Sequence, residues 1–192
     1  MVFVCFVIFV FSCWMPAARA QATDACAALI PKSLQSAVAR TYPGSRLVRE
    51  SDYAAEDIVS ELQYRNGNRC LGAASADVTG DRRADFMFAI TKEGNTLIIA
   101  ALATADGRWR LSTIETFSGD GIPTGYFVNT VPPDKYSDMY AADDAPDELR
   151  PEPGRVRHYT SRRPGFVTGK LEASEVAYFY TGTRWVHLWL SD

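Results

Sequence analysis

Asp77-Val78-Thr79-Gly80-Asp81-Arg82-Arg83-Ala84-Asp85 places carboxylates at its first, fifth and ninth positions and a threonine hydroxyl at its third. Hard divalent cations such as Ca2+ take about six to eight oxygens at roughly 2.3–2.6 Å, and a tight loop supplies them from alternate residues. On that logic Asp77, Thr79, Asp81 and Asp85 offer side-chain oxygen, and the Arg83 carbonyl fills the seventh position. Three carboxylates exceed a divalent charge by one, an excess that Arg82 and Arg83 offset. Gly80 permits the sharp turn, and the run from Asp85-Phe86 reads as a strand. The expected cofactor is therefore one Ca2+ with a structural role. The plain alternative is an acidic turn in which Asp77 and Asp85 accept backbone N–H groups.

Other chemistry is thinner. Nucleophilic hydrolysis needs a Ser or Cys beside a base, and the chain has two histidines, His158 and His187. His158 lies among Arg155, Arg157, Arg162 and Arg163 and reads as a solvated loop residue. Alternation puts His187 on one sheet face with Trp185 and Trp189, as a sheet residue. No G-x-S-x-G elbow or Gly-rich phosphate loop occurs. Carboxylates near Glu172, Glu175 and Asp134 to Asp147 are too numerous for any pair to signify glycoside cleavage. No catalytic residue is assigned. Tyr178, Tyr180, Trp185 and Trp189 form the better recognition candidate, since such rings bury large area at little rotamer cost. The same rings also serve as cross-strand packing.

The elements that must position these groups follow from periodicity. Leu34, Ala37 and Val38 have helical spacing between Pro31 and Pro43-Gly44. Ile58, Val59 and Leu62 suggest a second short helix after Ser51-Asp52. Phe86 to Ile90, Thr96 to Ala103 and Arg108 to Glu115 read as three strands joined by tight turns, an antiparallel meander. Residues 117–165 are rich in Asp, Pro and Gly and read as a loop-rich insertion, interrupted by short strands around Tyr126 to Thr130 and Arg155 to Tyr159. Glu175 to Leu190 returns as a C-terminal hairpin. The expected fold is α+β, with one or two short N-terminal helices on a mainly antiparallel sheet, all in one domain over residues 21–192.

Residues 1–20 read as an address. Val2 to Trp14 is an apolar stretch, and Pro16 and Ala18-Arg19-Ala20 follow as a cleavage signal, with no basic residue before the apolar core. Cleavage near Ala20 implies a periplasmic or secreted protein with no transmembrane segment in the mature chain. It removes one basic and no acidic residue from a chain with 20 Lys+Arg and 23 Asp+Glu. That acidic balance disfavours nucleic acid as a partner. Of the four cysteines, Cys26 and Cys70 remain, and an export compartment favours one disulfide between them.

At Asp77 to Asp85 the sequence resembles the calcium-binding loops of FG-GAP and VCBS-type repeats, whose pattern is D-x-[DN]-x-D-G-x-x-D. Thr79 replaces the usual Asp or Asn, Arg82 replaces the second Gly, and there is one loop where the family has tandem copies. The wider layout, from Tyr42-Pro43-Gly44 through the acidic loop to Trp189-Leu190-Ser191-Asp192, is similar to small exported bacterial proteins with a single such loop. The resemblance implies fold and location rather than activity. The leading expectation for function is a non-enzymatic exported binding protein with one structural Ca2+, its loops or aromatic hairpin meeting a protein or envelope component. An inhibitor or immunity role enters by analogy. The alternatives are a calcium-dependent hydrolase and an envelope- or carbohydrate-binding module.

Overall fold

A computed structural model describes residues 24–54, 70–119, 125–141, 152–171 and 173–191. The address segment at 1–20, the helix expected around Ile58 to Leu62, the Asp143-Asp144 stretch and Glu172 lie outside these residues.

Two short helices open the described chain: α1 (Ala25–Leu29) and α2 (Lys32–Thr41). The Asp24 carboxylate caps α1 by accepting from the Ala27 N–H at 2.9 Å. Helix α2 ends where the Tyr42 N–H meets the Val38 carbonyl, and Gly44 then takes φ 78°, a left-handed turn that glycine adopts without steric cost.

The strands form two main sheets. In the first, β1 (Arg46–Leu47) and β2 (Ala73–Ala76) both pair with β3 (Asp85–Lys92), which continues through β4 (Asn95–Ala103) to β5 (Trp109–Phe117). In the second the order is β11 (Trp185–Ser191), β10 (Glu175–Tyr180), β9 (Gly165–Lys170) and β6 (Tyr126–Val131). A ribbon of β7 (Lys135–Ser137) and β8 (His158–Thr160) completes the set, and every pairing between these strands is antiparallel. The meander and the hairpin thus belong to different sheets, and the 117–165 region contributes a full strand, β6, to the second.

Period-two alternation sorts the side chains into three apolar layers. Phe86, Phe88, Ile90, Ile99 and Ala101 cluster with Cys26, Ile30, Leu34 and Val38 from the helices. Met87, Ala89, Ile98 and Ala100 point the other way, to Phe127, Val128, Phe166, Val176 and Tyr178 of the second sheet. Beyond that sheet, Ala177, Phe179, Val186 and Leu188 meet Tyr136, Val156 and Tyr159. Strand β3 is buried on both faces from Asp85 to Ile90, so it reads as a continuous apolar run.

Cys26 and Cys70 form a disulfide, each 1% exposed. It ties α1 to the entry of β2, and closing a loop of this size stabilises by about 4 kcal/mol in the chain-entropy account. The outer edge of β11 is covered rather than left open. His187 donates to the Gly154 carbonyl at 3.0 Å and accepts from the Val156 N–H at 2.9 Å, and the Trp189 carbonyl accepts from the Met139 N–H at 2.9 Å.

Candidate functional site

The acidic turn bridges β2 and β3. One oxygen of the Asp77 carboxylate accepts from the Gly80 and Asp81 N–H groups at 2.6 and 3.1 Å, and the other from the Arg82 N–H at 2.8 Å. The Asp85 side chain is fully buried and accepts from Val78, Thr79 and Ala103 N–H groups at 3.1, 3.1 and 2.9 Å. Burial pushes its carboxyl up, against the lowering effect of the Ala103 and Thr79 donors. Asp81 turns to Arg83, taking both its N–H and its guanidinium, and these contacts, the backbone N–H first, hold its carboxyl below the usual range.

A second arginine closes the turn from outside. Arg163, in the connection between β8 and β9, donates through Nη1 to the Thr79 carbonyl. Gly80 has φ 78°, and a Cβ there would collide with the Arg163 guanidinium.

The five residues assigned to Ca2+ stand in one turn, where the carboxylates of Asp77, Asp81 and Asp85 already accept hydrogen bonds from within the fold. Asp77 and Asp85 hold backbone N–H groups, as the plain alternative has it, and Arg83 occupies Asp81. Among the described residues, no group of three or more His, Cys, Asp or Glu side chains is placed to hold a metal ion. Arg83 answers the charge of Asp81 alone.

The recognition candidates take different places. Tyr178 is a core residue, 5% exposed, while Tyr180, Trp185 and Trp189 are half-buried against the inter-sheet layer. Tyr180 donates to the Gly182 carbonyl at 2.8 Å and carries the Arg110 guanidinium 5.4 Å above its ring. His187 lies opposite Tyr178 on the neighbouring strand, ring centroids 5.5 Å apart. His158 is exposed, with Nδ1 3.0 Å from the Ser137 hydroxyl.

Between β5 and the inner face of the second sheet lies a cleft of two lobes, about 300 and 310 Å³, that share Glu115 and Glu152. Tyr178, Trp185 and His187 line the first lobe; Phe117, Lys170 and Trp189 line the second. The Glu152 carboxylate stands 3.1 Å from His187 Nε2.

A bulge puts Glu115 there. Thr113 pairs with Ile99 and Glu115 pairs with Ile98, so Ile114 is the extra residue on β5. Paired residues share a face, and a bulge re-aims the side chains that follow it. Thr113 accordingly faces the helices, its hydroxyl 3.0 Å from that of Tyr42, whereas Glu115 joins Ile98 on the inter-sheet side. Unbroken alternation would have sent both residues to the helix face.

Glu115 makes no side-chain hydrogen bond among the described residues. Burial, and secondarily the charge of Glu152, push its carboxyl up to about 7. The indole N–H of Trp189, in the same cleft, is buried with no acceptor among the described residues. Sequence reasoning missed Glu115 and Glu152; the one signal, an acid on an otherwise strand-like run, is indistinguishable from a solvent-facing position when the bulge is unknown.

No protein-family model, curated protein or solved structure matches this chain.

Proposed function

We propose that the chain is an exported binding protein whose ligand enters the cleft between β5 and the C-terminal hairpin. Export rests on the apolar segment and small-residue cleavage signal of residues 1–20. The single observation that supports the cleft is Glu115, a carboxyl turned inward by a bulge and without a hydrogen-bond partner among the described residues. Burying such a group without a partner costs stability, and costly, perturbed groups concentrate where a site needs them. Aromatic walls with a few polar groups are the ordinary make-up of a small-ligand site. The acidic turn is a brace between the two sheets in this reading, and the reading requires no metal.

The test is a melting-temperature screen of the full chain against small amines, amino acids, saccharides and peptidoglycan fragments, repeated on Glu115→Gln and Trp185→Ala. A stabilising compound that loses its effect in both variants supports the cleft. Compounds that act equally on all three proteins, or none that acts, contradict it.

A second reading uses the same cleft for proton transfer. A carboxyl titrating near neutrality is suited to general acid work, and Glu152 with His187 supplies an opposing base. Conversion of any bound compound, lost in Glu115→Gln and detected by chromatography, would select this reading over binding alone.

A further inference from the structure

The first lobe shows what kind of group it suits, and the inference rests on the cleft being the ligand site. Among the described residues its lining holds Glu115, Glu152, His187 and Tyr178 as titratable groups and no Lys or Arg. Lys170 and Tyr126 belong to the second lobe. Glu115 has both oxygens free of hydrogen bonds among the described residues, and Glu152 spends one oxygen on His187. The lobe is therefore rich in unspent acceptors, and its complement is a donor with positive charge. An inorganic divalent ion would draw most of its about six or more oxygens from water here and would leave the apolar walls unused.

The rest of the wall is aromatic. Tyr178 is set against His187, and Trp185 is set between Phe166 at 6.4 Å and Tyr180 at 5.3 Å, centroid to centroid. Fixed rings beside carboxylates suit a cation on an apolar stem, since the ring faces attract the charge and cover the methylenes. We infer that this lobe binds an organic ammonium or guanidinium group, its N–H donors shared by Glu115 and Glu152 and its carbon stem against Tyr178 and Trp185.

Cation entry favours ionised Glu115, whose proton passes to the buffer. Affinity then rises with pH and levels off once Glu115 is ionised, about tenfold per pH unit below its titration. Protonating His187 would also repel a cation, so His187→Gln is the control that isolates Glu115.

The experiment is titration calorimetry of the full chain with putrescine and agmatine, against 1-butanol and cellobiose as neutral probes. It is run at about pH 5.5 and about pH 7.5, in two buffers of different ionisation enthalpy. The expected result is that both cations bind at least about tenfold tighter at the higher pH and release a proton near pH 5.5. His187→Gln should keep that dependence, while Glu115→Gln should lose it and weaken cation binding by about tenfold. Neutral probes binding as well as the cations, with an effect of Glu115→Gln, would overturn the cation inference and leave the cleft reading standing. No heat from any probe, together with no hit in the melting screen, would overturn both. Cation binding that is unchanged in Glu115→Gln overturns the assignment to this lobe.

Discussion

Glu115 stands opposite Ile98 on β4, on the face of the first sheet that packs against the second. One extra residue on β5, Ile114, is responsible, and without it this acid would lie over the helices. The consequence is a carboxyl held in a cleft at some cost to the fold.

That cost has a pH signature. The folded-state value of Glu115 lies at about 7, above the roughly 4.3 of an unfolded glutamate. A raised folded value favours the protonated folded state. Its contribution is fully present below about pH 4 and is lost as pH rises to about 7. Glu115→Gln should remove the dependence and make the protein more stable than wild type at about pH 8, by on the order of 2 kcal/mol. Urea unfolding of both proteins at about pH 5 and about pH 8 checks this.

Asp138 has the opposite sign. Its carboxylate, 3% exposed, grips Arg155 at 2.8 and 2.9 Å and accepts from the Tyr140 and Trp189 N–H groups. Burial alone would raise its carboxyl, but Arg155 and the two N–H donors outweigh burial and hold it low. Its contribution is thus present above about pH 4 and lost as pH falls through the depressed value. Asp138→Asn leaves Arg155 without its counter-charge under the edge of β11 and should destabilise by about 3 kcal/mol. Chemical denaturation at neutral pH measures the loss; a change within error would remove the pair from the account of how β11 is covered.

Calcium and chelator should make no difference to the turn. An ion bound at a hundred times its dissociation constant adds about 2.7 kcal/mol to the folded state, several degrees in melting temperature for a domain of this size. Scans with Ca2+ and with EDTA are expected to coincide. Arg163→Ala should instead lower the melting temperature, since it removes the donor to the Thr79 carbonyl. A clear EDTA-dependent drop would restore the ion at Asp77 to Asp85.

The disulfide provides a further check. Replacing Cys26 and Cys70 together by Ala should cost about 4 kcal/mol, read as an earlier denaturation midpoint. The helices sit on the first sheet through the same cluster, so amide exchange of α1 and α2 should accelerate most.

What was legible in the sequence is what local chemistry controls. Leu34, Ala37 and Val38 marked α2, glycine turns separated β3, β4 and β5, and the even cysteine count suggested the bridge. Asp77 to Asp85 was found as a unit, but its partner was not. Arg163 lies 84 residues from Thr79, and nothing in either segment announces the other. The second sheet was hidden for the same reason: β6 pairs with β9 from Tyr126 opposite Lys170 to Val131 opposite Gly165, a pairing between distant segments. Glu115 was hidden differently. A single inserted residue inverts the face of all that follows it, and alternation carries no mark of where the insertion falls.

The most direct measurement is a carboxyl-carbon NMR titration of Glu115, assigned by its loss in Glu115→Gln, with and without saturating putrescine. The account expects a midpoint of about 7 in the free protein, moved downward when the amine is bound. A midpoint near the ordinary value of about 4.3, unmoved by the amine, would contradict it.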